Sequence, residues 1–257
     1  MNRRDFLLGT ATGIAGITAL GPLLNLALDA KGKGSKSTGG AKPDFQKVSY
    51  AQQGEDLIID NILRDTLGLQ KPTYLDIGAY DPVICNNTYL LYLSGGHGVL
   101  VEPNPRLVER LRAVRPRDTV LNVGIGVDDA KEADYYEFEV DQMNTFDGDE
   151  AQRLQKAGEK LVKTVKMPLL NINRVIAENL GGKAPDLLSI DTEGFDLPIL
   201  KSLDFEKFRP AAVCAEILKA DTFETRPEIQ ELLAAKRYVI RGMTFVNAVF
   251  VDSDRLK

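Results

Sequence analysis

Short, nearly continuous apolar runs alternate with helix-patterned stretches along this chain, and that alternation restricts its fold more than any other feature. Tyr74-Leu75-Asp76-Ile77 ends in Gly78, Gly98-Val99-Leu100-Val101-Glu102 is stopped by Pro103, and Thr119 to Val123 ends in Gly124. Asp186 to Asp191 runs out at Glu193-Gly194, and Ala211 to Ile217 follows a helical stretch at Leu197 to Leu203. Strands that are apolar on both faces belong in a parallel sheet covered by helices on each side. The expected class is therefore α/β.

The flanks of this pattern predict additions to the sheet. Gly54 to Leu67 places Leu57, Ile58, Ile62 and Leu63 at helical spacing among acids and an arginine, which predicts an amphipathic leading helix. Tyr135 to Val140 and Leu161 to Met167 read as extra strands. Tyr238 to Ile240 and Phe245 to Val251 are too close together for a crossover helix, so they predict an antiparallel hairpin at the sheet edge. The folded domain is expected over 45–257.

Upstream, Arg3-Arg4-Asp5-Phe6-Leu7 precedes an uncharged run of 23 residues, Phe6 to Leu28. The segment 1–30 resembles a twin-arginine export signal, which implies contact with export machinery. A run of that length also suits a membrane tether through residues 6–28, since it can just span a hydrocarbon core of ~30 Å. Residues 31–44 form a Gly/Ser/Lys-rich linker without an apolar face. The leader favours export or anchoring.

Charge and composition narrow the chemistry. Residues 1–47 carry a balance of +4 and the remainder −9, and an acidic body is repelled by phosphate backbones, so no nucleic-acid partner is expected. Small molecules or glycans remain as ligands. One histidine, His97, excludes multi-histidine metal centres, and its setting between glycines predicts a surface turn. Two cysteines, Cys85 and Cys214, are too few for a disulfide scaffold or a four-cysteine metal site, and both are expected as free, buried thiols.

Open parallel sheets bind ligands beyond the carboxyl ends of their strands. Asp76 and Gly78 fall at one such end and Glu102 at the next, 24 residues after Gly78, where an acid can hold ribose hydroxyls. A glycine at 78 would let the backbone approach a ligand. Gly78-Ala79-Tyr80-Asp81-Pro82-Val83 lacks the further glycines that admit a pyrophosphate, and Asp81 would repel one. A cationic nucleoside without phosphate suits a site lined by Asp76, Asp81 and Glu102, and S-adenosylmethionine is such a ligand.

Several strings together carry a family resemblance. Tyr74 to Tyr80, Asn86-Asn87-Thr88, Val101 to Pro105, Asn122 to Ile125, and Leu188 to Gly194 occur in an order that resembles the FkbM-type methyltransferases. Asn144-Thr145-Phe146 and Met167 to Leu170 add to it, and the likeness runs from about Ser49 to Val251. It implies a class I methyltransferase fold, S-adenosylmethionine as donor, and O-methylation of a sugar or small metabolite. It also implies that Asp76, Gly78, Ala79, Tyr80 and Glu102 hold the donor, with Asn122 and Gly124 near the adenine. Asp191 and Glu193 would face the acceptor. Such a donor is made in the cytosol, which opposes the export reading of the leader. Tyr80, Asp81 and Pro82 stand where that family usually carries smaller residues.

With one histidine available, carboxylates must handle the acceptor's proton. Asp191 and Glu193 lie two apart at a strand end and point the same way if extended. One could act as base with its pKa raised by its neighbour, or the pair could hold a divalent cation, which is the less favoured alternative. The structural alternative is that Asp191 shapes the donor pocket while Glu193 caps a helix. Two other functions compete. Asp147-Gly148-Asp149 is a D-x-D pair that would suit a metal-dependent glycosyltransferase. An exported, non-catalytic binding module on the same fold is the third reading. Inserted segments, including Asp134 to Lys166 and Phe223 to Pro227, are expected to shape the acceptor pocket.

Overall fold

The computed structural model describes residues 47–192, 194–218 and 225–256. The leader, the linker and Glu193 lie outside the described residues. Ser49–Leu218 and Thr225–Lys257 form one compact unit. Its strands are β1 (Thr73–Ile77), β2 (His97–Val101), β3 (Thr119–Leu121), β4 (Gly124–Gly126), β5 (Glu132–Phe138) and β6 (Leu161–Asn171). These are followed by β7 (Leu187–Ile190), β8 (Ala212–Glu216), β9 (Tyr238–Met243) and β10 (Asn247–Asp252). Its helices are α1 (Glu55–Asp60), α2 (Tyr89–Leu93), α3 (Pro105–Val114), α4 (Gly148–Lys156), α5 (Ile172–Asn179), α6 (Asp196–Ser202) and α7 (Pro227–Ala235). The leading helix of the sequence pattern is thus α1, continued by a π-helical turn over Asn61–Thr66.

The main sheet has the order β3-β2-β1-β7-β8-β10-β9. Neighbours are parallel from β3 through β8, while β10 runs antiparallel to both β8 and β9. Three residues separate β9 from β10, which forces the hairpin. Strand order reverses between β1 and β7, so their carboxyl ends diverge there and leave the crevice in which such sheets bind ligands.

Side-chain alternation divides the core between two faces. Leu75, Ile77, Val99, Val101, Leu188, Ile190 and Val213 pack against Val175 and Ile176 of α5, Ile199 and Leu200 of α6, and Ile229 and Leu233 of α7. Tyr74, Leu100, Leu187, Cys214 and Val249 meet Ile59 of α1, Leu91 of α2, and Val108 and Leu111 of α3 on the other face. Asp76 lies on this second face, two residues along from Tyr74. A smaller sheet, β4-β6-β5, stands apart with its own cluster of Phe138, Ala151 and Leu154.

One buried cation ties the second face together. Arg115, fully buried, donates from Nε to Asp118 Oδ2 (2.7 Å), from Nη1 to Asn86 Oδ1 (3.0 Å) and from Nη2 to Thr88 Oγ1 (3.0 Å). Asp118 in turn accepts from Tyr74 Oη (2.8 Å) and from the amide of Gly98 (2.8 Å). The guanidinium lies 5.3 Å from the ring centroids of both Tyr74 and Tyr92. Desolvation of the ion pair is offset only because every polar end is met, so removing one partner exposes the full cost. Arg115→Met should destabilise the protein by about 3–5 kcal/mol, read as a lower urea midpoint. A midpoint unchanged within error would show that the pair does not hold this face.

Candidate active site

The site begins with the turn after β1. Amides of Gly78 and Ala79 both donate to Val101 O of β2 (3.0 and 3.2 Å), while the amide of Asp191, just past β7, donates to Ile77 O (3.0 Å). Gly78 has φ +81°, and a Cβ there would sit 2.0 Å from Asp191 O. Glycine is therefore required by the backbone of β7, a reason distinct from the ligand approach expected from sequence. Tyr80 follows with φ +51°, an uncommon state for a large residue that concentrates at functional turns.

Glu102 occupies the tip of β2 and is buried. Its Oε2 accepts from the Tyr80 amide (2.9 Å) and its Oε1 from the Asn104 amide (2.8 Å). Asn104 caps α3, accepting from the Arg106 amide (3.0 Å), with Pro105 at the first helical position. Burial pushes the Glu102 carboxyl up to about 7, the two amide bonds oppose that rise, and the negative charges of Asp141 and Asp76 add to it. A carboxylate has about four lone-pair sites, so two remain for outside donors such as ribose hydroxyls. This donor set suits the sugar of a nucleoside.

The other expected donor residues divide into two groups. Asn122 Nδ2 donates to the carbonyls of Glu102 (3.0 Å) and Pro103 (2.7 Å), bracing the tip of β2. Asp76 points inward: it is buried, accepts from Thr88 Oγ1 (2.7 Å), and burial raises its pKa against the lowering pull of Arg115. Ala79 is packed in the core and its carbonyl accepts from Asn86 Nδ2 (3.1 Å). Gly124 lies in the second sheet, where a Cβ would meet Phe146 Cζ at 2.6 Å and Leu169 Cδ2 at 2.8 Å. Its need for glycine is one of packing.

Other expectations are corrected. Asp81 does not line the site as an available anion: its Oδ1 accepts from the Val83 and Ile84 amides (both 2.9 Å), and Arg110 Nη2 pairs with its Oδ2. Cys214 is buried as expected, but Cys85 is exposed, with φ +53°. Asp147 caps α4, its Oδ1 accepting from the amides of Asp149 (2.9 Å) and Glu150 (3.3 Å), so the D-x-D pair serves a helix terminus. His97 is exposed at the first position of β2. Asp191 lies exposed at the tip of β7, against Gly78. Among the described residues no group of three or more His, Cys, Asp or Glu could hold a metal ion.

The methyltransferase FkbM domain profile matches residues 76–240, well over half of the chain. The chain belongs to the FkbM methyltransferase family. It is a methyltransferase, and its main sheet is mostly parallel with an antiparallel hairpin at one edge. Comparison with curated proteins found no match. Among solved structures, the TehB-like SAM-dependent methyltransferase of Corynebacterium glutamicum is 11% identical, with a TM-score of 0.42 over 79% of this chain and 89% of that one. The O-methyltransferase of Bacillus cereus, in complex with SAH, is 12% identical, with a TM-score of 0.40 over 95% and 97%. The 1,6-didemethyltoxoflavin-N1-methyltransferase of Burkholderia thailandensis is 12% identical, with a TM-score of 0.41 over 79% and 80%.

For this methyltransferase, sequence reasoning missed Asn104, Asp141 and Gln142, which surround Glu102. Asn104 carried a readable signal, an Asn-Pro pair at the start of an apolar-periodic helix. Asp141 and Gln142 carried none, because they reach Glu102's surroundings from the distant β5–α4 connection. That connection was expected to shape the acceptor pocket, and part of it stands beside the start of α3, where Asp141 meets Asn104.

The Glu102 carboxyl sets a sign for pH dependence. Its folded value of about 7 exceeds the ordinary 4.5, so the native state binds the extra proton between those limits. Stability should fall as pH rises from about 4.5 to about 7 and then level off. Urea titrations of Glu102→Gln should lack this share of the slope; identical slopes in both proteins would place the titration elsewhere.

Proposed function

We propose that this FkbM-family methyltransferase methylates a hydroxyl oxygen of a sugar or other small metabolite. Glu102 holds the donor ribose, the Gly78–Tyr80 turn lies beneath the donor, and Asp191 faces the acceptor. The observation that carries this reading is the lock between β1 and β7. Asp191 N bonds Ile77 O, and Asp191 O leaves no room for a Cβ at Gly78. The turn assigned to the donor and the residue assigned to the acceptor's proton thus meet at one backbone junction, which supports their acting at the same reacting centre.

S-adenosylmethionine supplies a methyl group on a positively charged sulfur. The chain's own part is alignment, charge and proton handling. Glu102 accepts hydrogen bonds from the ribose, and Asn122 keeps its backbone from drifting. Asp191 accepts the hydroxyl proton as the new C–O bond forms and the C–S bond breaks. A general base of this kind contributes about 10²- to 10⁴-fold.

Three measurements test these roles. Calorimetry with S-adenosylhomocysteine should give tight binding to the full chain, weakened by Glu102→Ala roughly 10- to 100-fold, the worth of hydrogen bonds to a charged group. No binding heat would remove the donor site. Because ribose donation favours the ionised carboxylate, affinity should rise with pH through about 7 and the rise should vanish in Glu102→Gln. With labelled donor and a panel of monosaccharides and glycosides, label should enter a hydroxyl. Asp191→Asn should cut that transfer about 10²- to 10⁴-fold while S-adenosylhomocysteine affinity stays within about twofold. Label found only on amines or carboxylates, or full turnover by Asp191→Asn, would overturn the assignment.

A further inference from the structure

Around Glu102 the hydrogen bonds close into a ring that includes residues of the turn after β5. Glu102 accepts from the Tyr80 amide on one oxygen and from the Asn104 amide on the other. Asn104 Nδ2 donates to Asp141 Oδ1 (2.8 Å), and Arg106 also pairs with that oxygen. Asp141 opens the 3₁₀ turn Asp141–Met143 between β5 and α4, and the next residue, Gln142, donates from Nε2 to Tyr80 Oη. The ring thus passes from Glu102 through Tyr80, Gln142, Asp141 and Asn104 and returns to Glu102.

The members differ in their freedom to move. Glu102 and Asn104 are buried at the junction of β2 and α3, and the Tyr80 ring is half-buried. Gln142 is exposed on a short turn, so its bond to Tyr80 is the solvent-facing link of the ring. Because Gln142 gives the hydrogen and Tyr80 Oη accepts it, the phenol keeps its own hydrogen to donate. The left-handed backbone at Tyr80 directs the chain away from β1, and strain of this sort persists only where the surroundings enforce it.

We propose that Gln142 is a positioning residue of the donor site, clasping the Tyr80 side chain across the Glu102 pocket so that the bound nucleoside is retained. The clasp opens at the Gln142–Tyr80 bond to admit the nucleoside and re-forms over it. Asp141, held by Asn104 and Arg106, keeps the turn in reach while it is open. This rests on the reading of Glu102 as the ribose carboxylate.

The test is the dissociation rate of S-adenosylhomocysteine from the full chain, read by surface plasmon resonance for wild type, Tyr80→Phe, Gln142→Ala and the double variant. Each single change should speed dissociation roughly five- to tenfold, the worth of one neutral hydrogen bond. The double variant should dissociate no faster than either single variant, since both remove the same link. Thermal midpoints of the single variants should match wild type, which separates a clasp from a general loosening. Unchanged dissociation rates, or effects that multiply in the double variant, would overturn the clasp. Glu102→Ala serves as the reference. If it releases the ligand as slowly as wild type, the donor-site reading itself fails; if it alone accelerates release, that reading stands and the clasp is wrong.

Discussion

The backbone crossing at Gly78 is the constraint from which the site follows. Strand β1 must hand its chain to a turn while β2 and β7 press on it from either side. Two amides after Ile77 share the Val101 carbonyl, and the Ile77 carbonyl accepts from Asp191. Only a residue without a Cβ, at φ +81°, fits that space. With the crossing set, three things become local neighbours: the Tyr80 amide, the carboxylate of Glu102, and the tip of β7. The crevice at the strand-order reversal thus has its floor fixed where Gly78 meets the backbone of Asp191.

A second constraint is electrostatic. Among the described residues Glu102 is buried without an ion pair and is met instead by two amides, one of them at the N-terminus of α3. That leaves the carboxyl raised to about 7, a cost to folding near neutral pH. The neighbouring acid, Asp76, is treated differently: Arg115, Thr88 and Ser189 stabilise its charge from within the protein. Two acids at adjacent strand ends therefore do different work. Asp76 ties the far end of the loop 79–88 to the core through Thr88, and Glu102 holds the amides of Tyr80 and Asn104, with the ribose role proposed for it resting on its remaining lone pairs.

This contrast explains what the sequence could and could not reveal. Apolar runs that end in Gly78, Glu102 and Asp191 marked the strands and their tips, since period and punctuation are local properties. Glu102 could be singled out because its spacing from Gly78 is itself a consequence of one strand–helix–strand unit. The inward turn of Asp76 depends on Arg115, 39 positions later, and no local pattern announces that contact. Gly124 was placed near the adenine by the family resemblance alone. Its real neighbours, Phe146 and Leu169, come from a second sheet whose position no period encodes. Cys85 lies exposed in a left-handed turn beside Ile84, which is exposed as well.

The second sheet also bears on how such a fold acquires a closed donor site. A crevice formed by strand-order reversal is open to water on its outer side, because the strands themselves supply only its floor. On the proposed reading of Glu102, something from outside the main sheet must stand over it if a nucleoside is to be held for longer than its floor contacts permit. The β5–β6 excursion brings Asp141 against Asn104 at the start of α3 and Gln142 against Tyr80. Asn104 is thereby shared: its amide holds Glu102, its Oδ1 caps the helix, and its Nδ2 fixes the turn. Because one buried side chain sets all three, the distance from the carboxylate to the covering turn is determined by α3 and need not be specified by the excursion itself. Most of the excursion can therefore vary in sequence without disturbing the donor side, provided an acceptor for Asn104 and a donor for Tyr80 remain adjacent in the turn.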